Sequence, residues 1–108
     1  MAVVSQVPND DPYGLDDLVV ELQRCGHDAA VAEAEYRKQE ALKTLELKAT
    51  GMAIGVIDKV VRGDEKVNLA LLQWRAAEVE YKAAAEALNV AKIKAKERNN
   101  VARAEYYA

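Results

Sequence analysis

A chain of 108 residues with 15 basic and 18 acidic side chains and a formal net charge of −3 has the size of one domain. It carries too little positive charge for a surface given over as a whole to nucleic acid or anionic lipid. One cysteine, Cys25, excludes an intrachain disulfide and a cysteine-based zinc cluster, while 6 % aromatics, no Phe and abundant Ala, Glu, Lys and Leu speak for long helices over sheets.

The opening MAVVSQVP lacks the basic end and apolar stretch of a signal peptide, and no apolar run approaches the roughly 20 residues that span a bilayer. A cytoplasmic protein is expected. Pro8 and Pro12 fall in SQVPNDDPYG, which has the turn chemistry of a flexible arm over residues 1–12. Asp11 before Pro12 resembles an N-cap and first helical position, and Asp16, Asp17 and Glu21 suit the positive end of a helix dipole. A first helix is therefore expected to begin between Pro12 and Asp16.

Leu15, Leu18, Leu22, Cys25, Ala29, Ala32 and Tyr36 recur at spacings of three and four, which lays one apolar stripe along that helix. Past Tyr36 the register meets Gln39 and Lys43. The apolar positions move to Ala41, Leu42, Leu45, Ala49 and Met52, so the seam is expected to rotate towards a second packing partner. Gly26 inside the helix costs about 1 kcal/mol relative to Ala and would suit a close approach of another backbone. In TGMAIGVIDKVVRGDEK, Gly51 and Gly63 read as helix terminators, IGVIDKVV as a short helix, and Asp64 as the N-cap of the last helix.

That last helix has the clearest pattern. Val67, Trp74, Tyr81, Leu88, Ala95 and Ala102 lie seven apart, with Ala70, Ala77, Ala84 and Ala91 at the matching positions until Arg98. From Asp64 to Ala102 it would run nearly 60 Å, so the molecule should be elongated, at about 1.5 Å per residue. The expected fold is all-α: residues 13–108 form a single domain, a long antiparallel, coiled-coil-like hairpin with a short connecting helix, associating into a helical bundle.

A second stripe, Leu69, Leu72, Ala76, Val79, Ala83, Val90 and Ile93, lies two positions from the first and so nearly opposite it. Leaving its large members in water forgoes about 1.5 to 3 kcal/mol for each side chain that could be buried. Leu69, Leu72, Val79, Val90 and Ile93 are thus the candidate oligomer or partner interface. A twofold homodimer making a four-helix bundle is the simplest answer. Cover by the short helix and arm, or a hetero-oligomer, are the alternatives. Antiparallel pairing would set Asp16, Asp17 and Glu21 beside Lys92, Lys94, Lys96, Arg98 and Arg103.

Those five cations are the candidate nucleic-acid contact, against which stand the acidic neighbours and the lack of stacking aromatics before Tyr106 and Tyr107. Trp74 and Tyr81 at heptad spacing read as core rather than as a ligand pocket. Cys25 and His27 point to different sides of a helix and have no further Cys or His to complete a metal site. No phosphate-binding glycine motif, catalytic triad or acid–base pair is present, so no enzyme, cofactor, metal or small-molecule substrate is expected. The tripeptide Arg62, Gly63, Asp64 matches an adhesion motif but reads better as a helix stop and start.

The segments EYRKQEALKTLELKATGMA and VVRGDEKVNLALLQWRAAEVEYKAAAEALNVAKIKAK resemble small helical-hairpin proteins encoded by phages and prophages of Gram-positive bacteria, often among early recombination and replication genes. The likeness runs from about Tyr36 to Lys96 and is most specific at RGDEKV and the xLxxxRxxxExxY spacing after it. Such proteins often have proline after the position of Met52, where this chain has Ala53. The resemblance implies a phage setting and transfers no site residues. Together these features lead to a non-enzymatic interaction protein that binds a protein of DNA processing, as inhibitor or accessory factor. A nucleic-acid-binding helical protein and a structural component of a virion or larger assembly are the alternatives.

Overall fold

The structure, a computed structural model, describes residues 11–107, which form α1 (Leu15–Ala49), α2 (Ile54–Gly63) and α3 (Glu65–Tyr107), with no strand among them. Apart from Asp11 and Pro12, the expected arm lies outside the described residues. The all-α helical hairpin is present, with α1 and α3 antiparallel and α2 packed against both at the closed end.

The start of α1 falls within the expected window but is capped differently. Asp11 acts from four residues ahead: its carboxylate accepts the N–H groups of Leu15 at 2.7 Å and Asp16 at 2.8 Å. Pro12 is not the first helical residue. A turn over residues 11–14 comes first, closed by the Gly14 N–H on the Asp11 carbonyl at 3.1 Å, and Gly14 takes the left-handed φ of 66° that brings the chain into the helix.

Leu15 through Tyr36 turn the expected stripe towards α3, with Cys25 and Ala29 buried and the others half-buried. Beyond Tyr36 the seam does not rotate. Gln39, Glu40, Lys43 and Thr44 stay half-buried along the same line and Leu47 is buried, whereas Leu42 and Leu45 are 51 % and 63 % exposed. The polar residues can hold the seam because each has a local partner. The Tyr36 hydroxyl donates to Glu40 at 2.8 Å, the Gln39 amide to Glu35 at 2.9 Å, and the Thr44 hydroxyl to the Glu40 carbonyl at 2.8 Å. Lys43 lays its stem in the seam and sends its ammonium to Asp64 and Glu46.

At the closed end Gly51, with φ 79°, supplies the left-handed residue that ends α1, and its N–H donates to the Lys48 carbonyl at 3.1 Å. Gly63 has no such role. It is the last residue of α2 with ordinary φ, and the break is made by Asp64, whose extended backbone (ψ 133°) both ends α2 and caps α3. The Asp64 carboxylate accepts the Val67 N–H at 3.1 Å. In α2, Ile57 and Val61 are buried with Leu47 and Val67, and Tyr36 and Met52 pack around them.

Along α3, Val67, Ala70, Leu88 and Ala91 are buried, and Trp74, Ala77, Ala84 and Ala95 half-buried, as the heptads predict, but Tyr81, expected in the core, is 42 % exposed where it lies against Gly26. Trp74 stacks on Tyr36 with centroids 5.4 Å apart. What approaches Gly26 is a side chain, not a backbone: a Cβ there would lie 3.1 Å from the edge of the Tyr81 ring. Ala102 leaves the seam, since α3 (43 residues) outruns α1 (35 residues) and Arg98 already lies level with Asp11 and Pro12. The extents are 78 × 39 × 14 Å and the radius of gyration 23.3 Å, against about 13 Å for a compact chain of this length. The expected elongation is realised as a ribbon one helix thick.

Two substitutions test the closed end. Ile57, 2 % exposed, should lose about 2 to 4 kcal/mol when changed to Ala, seen as a lower urea midpoint. Ala53 has φ −64° and its amide meets no acceptor among the described residues. Ala53→Pro should therefore raise stability by about 0.4 to 1 kcal/mol, measured by the same titration.

Candidate interaction surface

The seam of α3 faces α1, so positions two residues on from it face away from α1. Leu69, Leu72, Val79, Val90 and Ile93 are 55 %, 66 %, 66 %, 39 % and 51 % exposed. All five candidate interface residues thus share one outward face. Val90 is the least exposed of them and lines an open groove of about 550 Å³ with Tyr13, Ala83, Glu86, Ala87 and Lys94. The turn ahead of α1 sets Tyr13 at the rim, and the alanines of α3 form its floor.

The cations behave differently from the expectation. Lys92, Lys94, Lys96, Arg98 and Arg103 are exposed, and the hairpin brings the start of α1 level with them. No ion pair follows. Among the described residues, Asp16, Asp17 and Glu21 make no salt bridge to any of the five. Glu21 instead pairs with Arg24, one turn away, which holds its carboxyl below the usual carboxylate range, and Arg24 also reaches Asp28 at 2.9 Å. Pairs within one helix form with less loss of side-chain freedom than pairs between helices. The five cations also do not form one stripe: at 3.6 residues per turn, Lys92, Lys96 and Arg103 fall to one side and Lys94 and Arg98 to the other.

The exposed face of α2 escaped the sequence reading. Ile54 is 75 % exposed, and Val56 and Val60 also face water at the closed end, where Leu42 and Leu45 of α1, expected to face a second packing partner, are exposed too. A signal existed in α2: Ile54, Val56, Ile57, Val60 and Val61 are more apolar residues than the inner face of a ten-residue helix can bury. This end is also where polar chemistry converges. Trp74 lies under the guanidiniums of Arg37 at 5.5 Å and Arg75 at 4.9 Å, besides its stack on Tyr36. The Tyr36 hydroxyl is pushed up by its bond to Glu40 and by burial. These groups occupy one another.

The remaining reactive groups stand apart. Cys25 is buried, which pushes its thiol up, while His27 is exposed on another side of α1. Among the described residues no three His, Cys, Asp or Glu side chains converge as metal ligands, and no helix is long and apolar enough to cross a membrane. Comparison with protein families, curated proteins and solved structures finds no match in any of the three.

Among the described residues, the ion pair that joins α1 to the closed end carries a pH dependence. The Val67 N–H, and then the Lys43 ammonium 3.5 Å away, hold the Asp64 carboxyl below the usual carboxylate range. A lowered folded-state pKa stabilises the fold above the unfolded value near 3.9, and the gain is lost as pH falls through the folded pKa. Asp64→Asn keeps a good cap but removes the charge. Its urea midpoint should fall below wild type at pH 7 and converge with it near pH 2, in parallel titrations.

Proposed function

We propose that this chain is a non-enzymatic interaction protein of phage type, acting in the host cytoplasm by binding a protein of DNA processing as inhibitor or accessory factor. The observation that carries the interaction role is the exposed apolar surface: the outward face of α3 and, at the closed end, Leu42, Leu45, Ile54, Val56 and Val60. Contiguous apolar surface of this kind marks protein–protein contact on a water-facing fold. The DNA-processing context is supported by the likeness of the RGDEKV turn and the helix after it to phage-encoded hairpins. The closed end is the better place for such a partner, because Trp74, Arg37 and Arg75 supply the aromatic and arginine side chains that dominate binding energies there.

A panel of purified phage and host nucleases, recombinases and replication proteins tests this by pull-down and calorimetry. One member should bind, and Leu45→Asp with Val56→Asp should weaken that binding by about 100-fold or more while helix content is kept. No binding across the panel would overturn the reading. A second reading, nucleic-acid binding by α3, is favoured by the exposure of Lys92, Lys94, Lys96, Arg98 and Arg103, which among the described residues make no salt bridge to Asp16, Asp17 or Glu21. DNA affinity that falls steeply between 50 and 200 mM salt, by about tenfold or more, would select it.

A further inference from the structure

We infer that the outward face of α3 is covered by a second copy of this chain, running antiparallel across a twofold axis level with Tyr81. Area is the first argument. The chain exposes 8492 Å², against about 5,900 Å² for a compact monomer of its 11.9 kDa mass. The ten residues before Asp11, even fully extended, account for at most about 1,500 Å² of the difference. At least about 1,000 Å² of excess remains over the whole elongated molecule, room enough for the area each subunit of an obligate dimer buries at its interface.

The second argument is that the two ends of the face match in side-chain size. In chain order it reads Leu69, Leu72, Ala76, Val79, Ala83, Glu86, Val90, Ile93, with large apolar residues at both ends and alanines at Ala76 and Ala83 between them. An antiparallel copy sets Leu69 against Ile93, Leu72 against Val90, and Val79 against Ala83, each contact occurring twice. Leu72, a knob 66 % exposed, then enters the groove of about 550 Å³ between Tyr13, Ala87 and Val90 of the other chain. Glu86 faces the other Ala76 and comes within reach of Arg75 beside it.

Orientation follows from the same residues. A parallel copy would stack Glu86 on Glu86, leave the groove open and bring two basic C-terminal ends together. In the antiparallel arrangement the like-charged contacts are Lys82 and Glu80 with their own copies near the axis, exposed pairs that weaken association by only a small factor. Because the outward face lies opposite α1, the dimer is a four-helix ribbon in the order α1, α3, α3, α1, and both closed ends stay open to other partners.

Light scattering coupled to size exclusion on the full chain should give twice the monomer mass at 10 μM. Leu72→Glu with Val79→Glu should weaken association by about 100-fold or more and give the monomer mass. A wild-type monomer at 100 μM, or a dimer indifferent to those changes, would overturn the inference. Register is read separately, in a Cys25→Ala background, so that unfolding of the glutamate variant leaves the test intact. Leu69→Cys with Ile93→Cys should form the disulfide-linked dimer under mild oxidation, and Leu69→Cys alone should not. Cross-linking by the single variant, or none by the double, would sink the antiparallel arrangement.

Discussion

Everything in this molecule follows from how the chain reverses direction. Two long helices with narrow apolar seams have no reason to meet in one register unless something holds their ends. Ile57 and Val61 do so by packing between Leu47 at the end of α1 and Val67 at the start of α3. Asp64 completes the clamp, since one residue ends α2, caps α3 and takes the Lys43 ammonium. The register set there carries Tyr36 to Trp74, Gly26 to Tyr81 and the turn at Asp11 to Arg98.

Beyond the clamp, small side chains govern the geometry. Alanine at Ala70, Ala77, Ala84 and Ala91 alternates with larger residues, so α1 and α3 lie close and bury little depth. Among the described residues there is no third layer, and α2 covers only the closed end. The result is a helix, α3, apolar on two sides with one long neighbour among the described residues. The outward stripe is therefore a direct product of the sequence pattern and the hairpin topology together, and neither alone would expose it.

Much of this was legible before the structure. Sevenfold recurrence from Val67 to Ala95 specified the seam of α3, and the offset of Leu69, Leu72, Val79, Val90 and Ile93 specified its outward face. Asp64 as a cap and the position of α2 were equally plain. What escaped were choices decided by competition between partners. Gln39, Lys43 and Thr44 looked wrong for a seam because sequence shows their polarity but not the local acceptors at Glu35, Glu40 and Glu46. The acidic start of α1 and the basic end of α3 lie level, as the hairpin topology predicts, yet Arg24 within α1 claims Glu21. Exposure of Ile54 and Val56 was missed because a short apolar helix looks buried until the size of what it covers is known.

The single clamp gives the hairpin a direction in time as well as in space. A chain whose reversal takes about fifteen residues closes its smallest loop there, and each further contact along α1 and α3 closes a larger one at greater entropic cost. Formation should therefore run like a zipper from Leu47 and Val67 outward, with Leu15 and Ala95 last to join and first to part. The open end of the hairpin is the part that yields first under heat, force or a competing helix, while the closed end keeps its shape until the whole fold is lost.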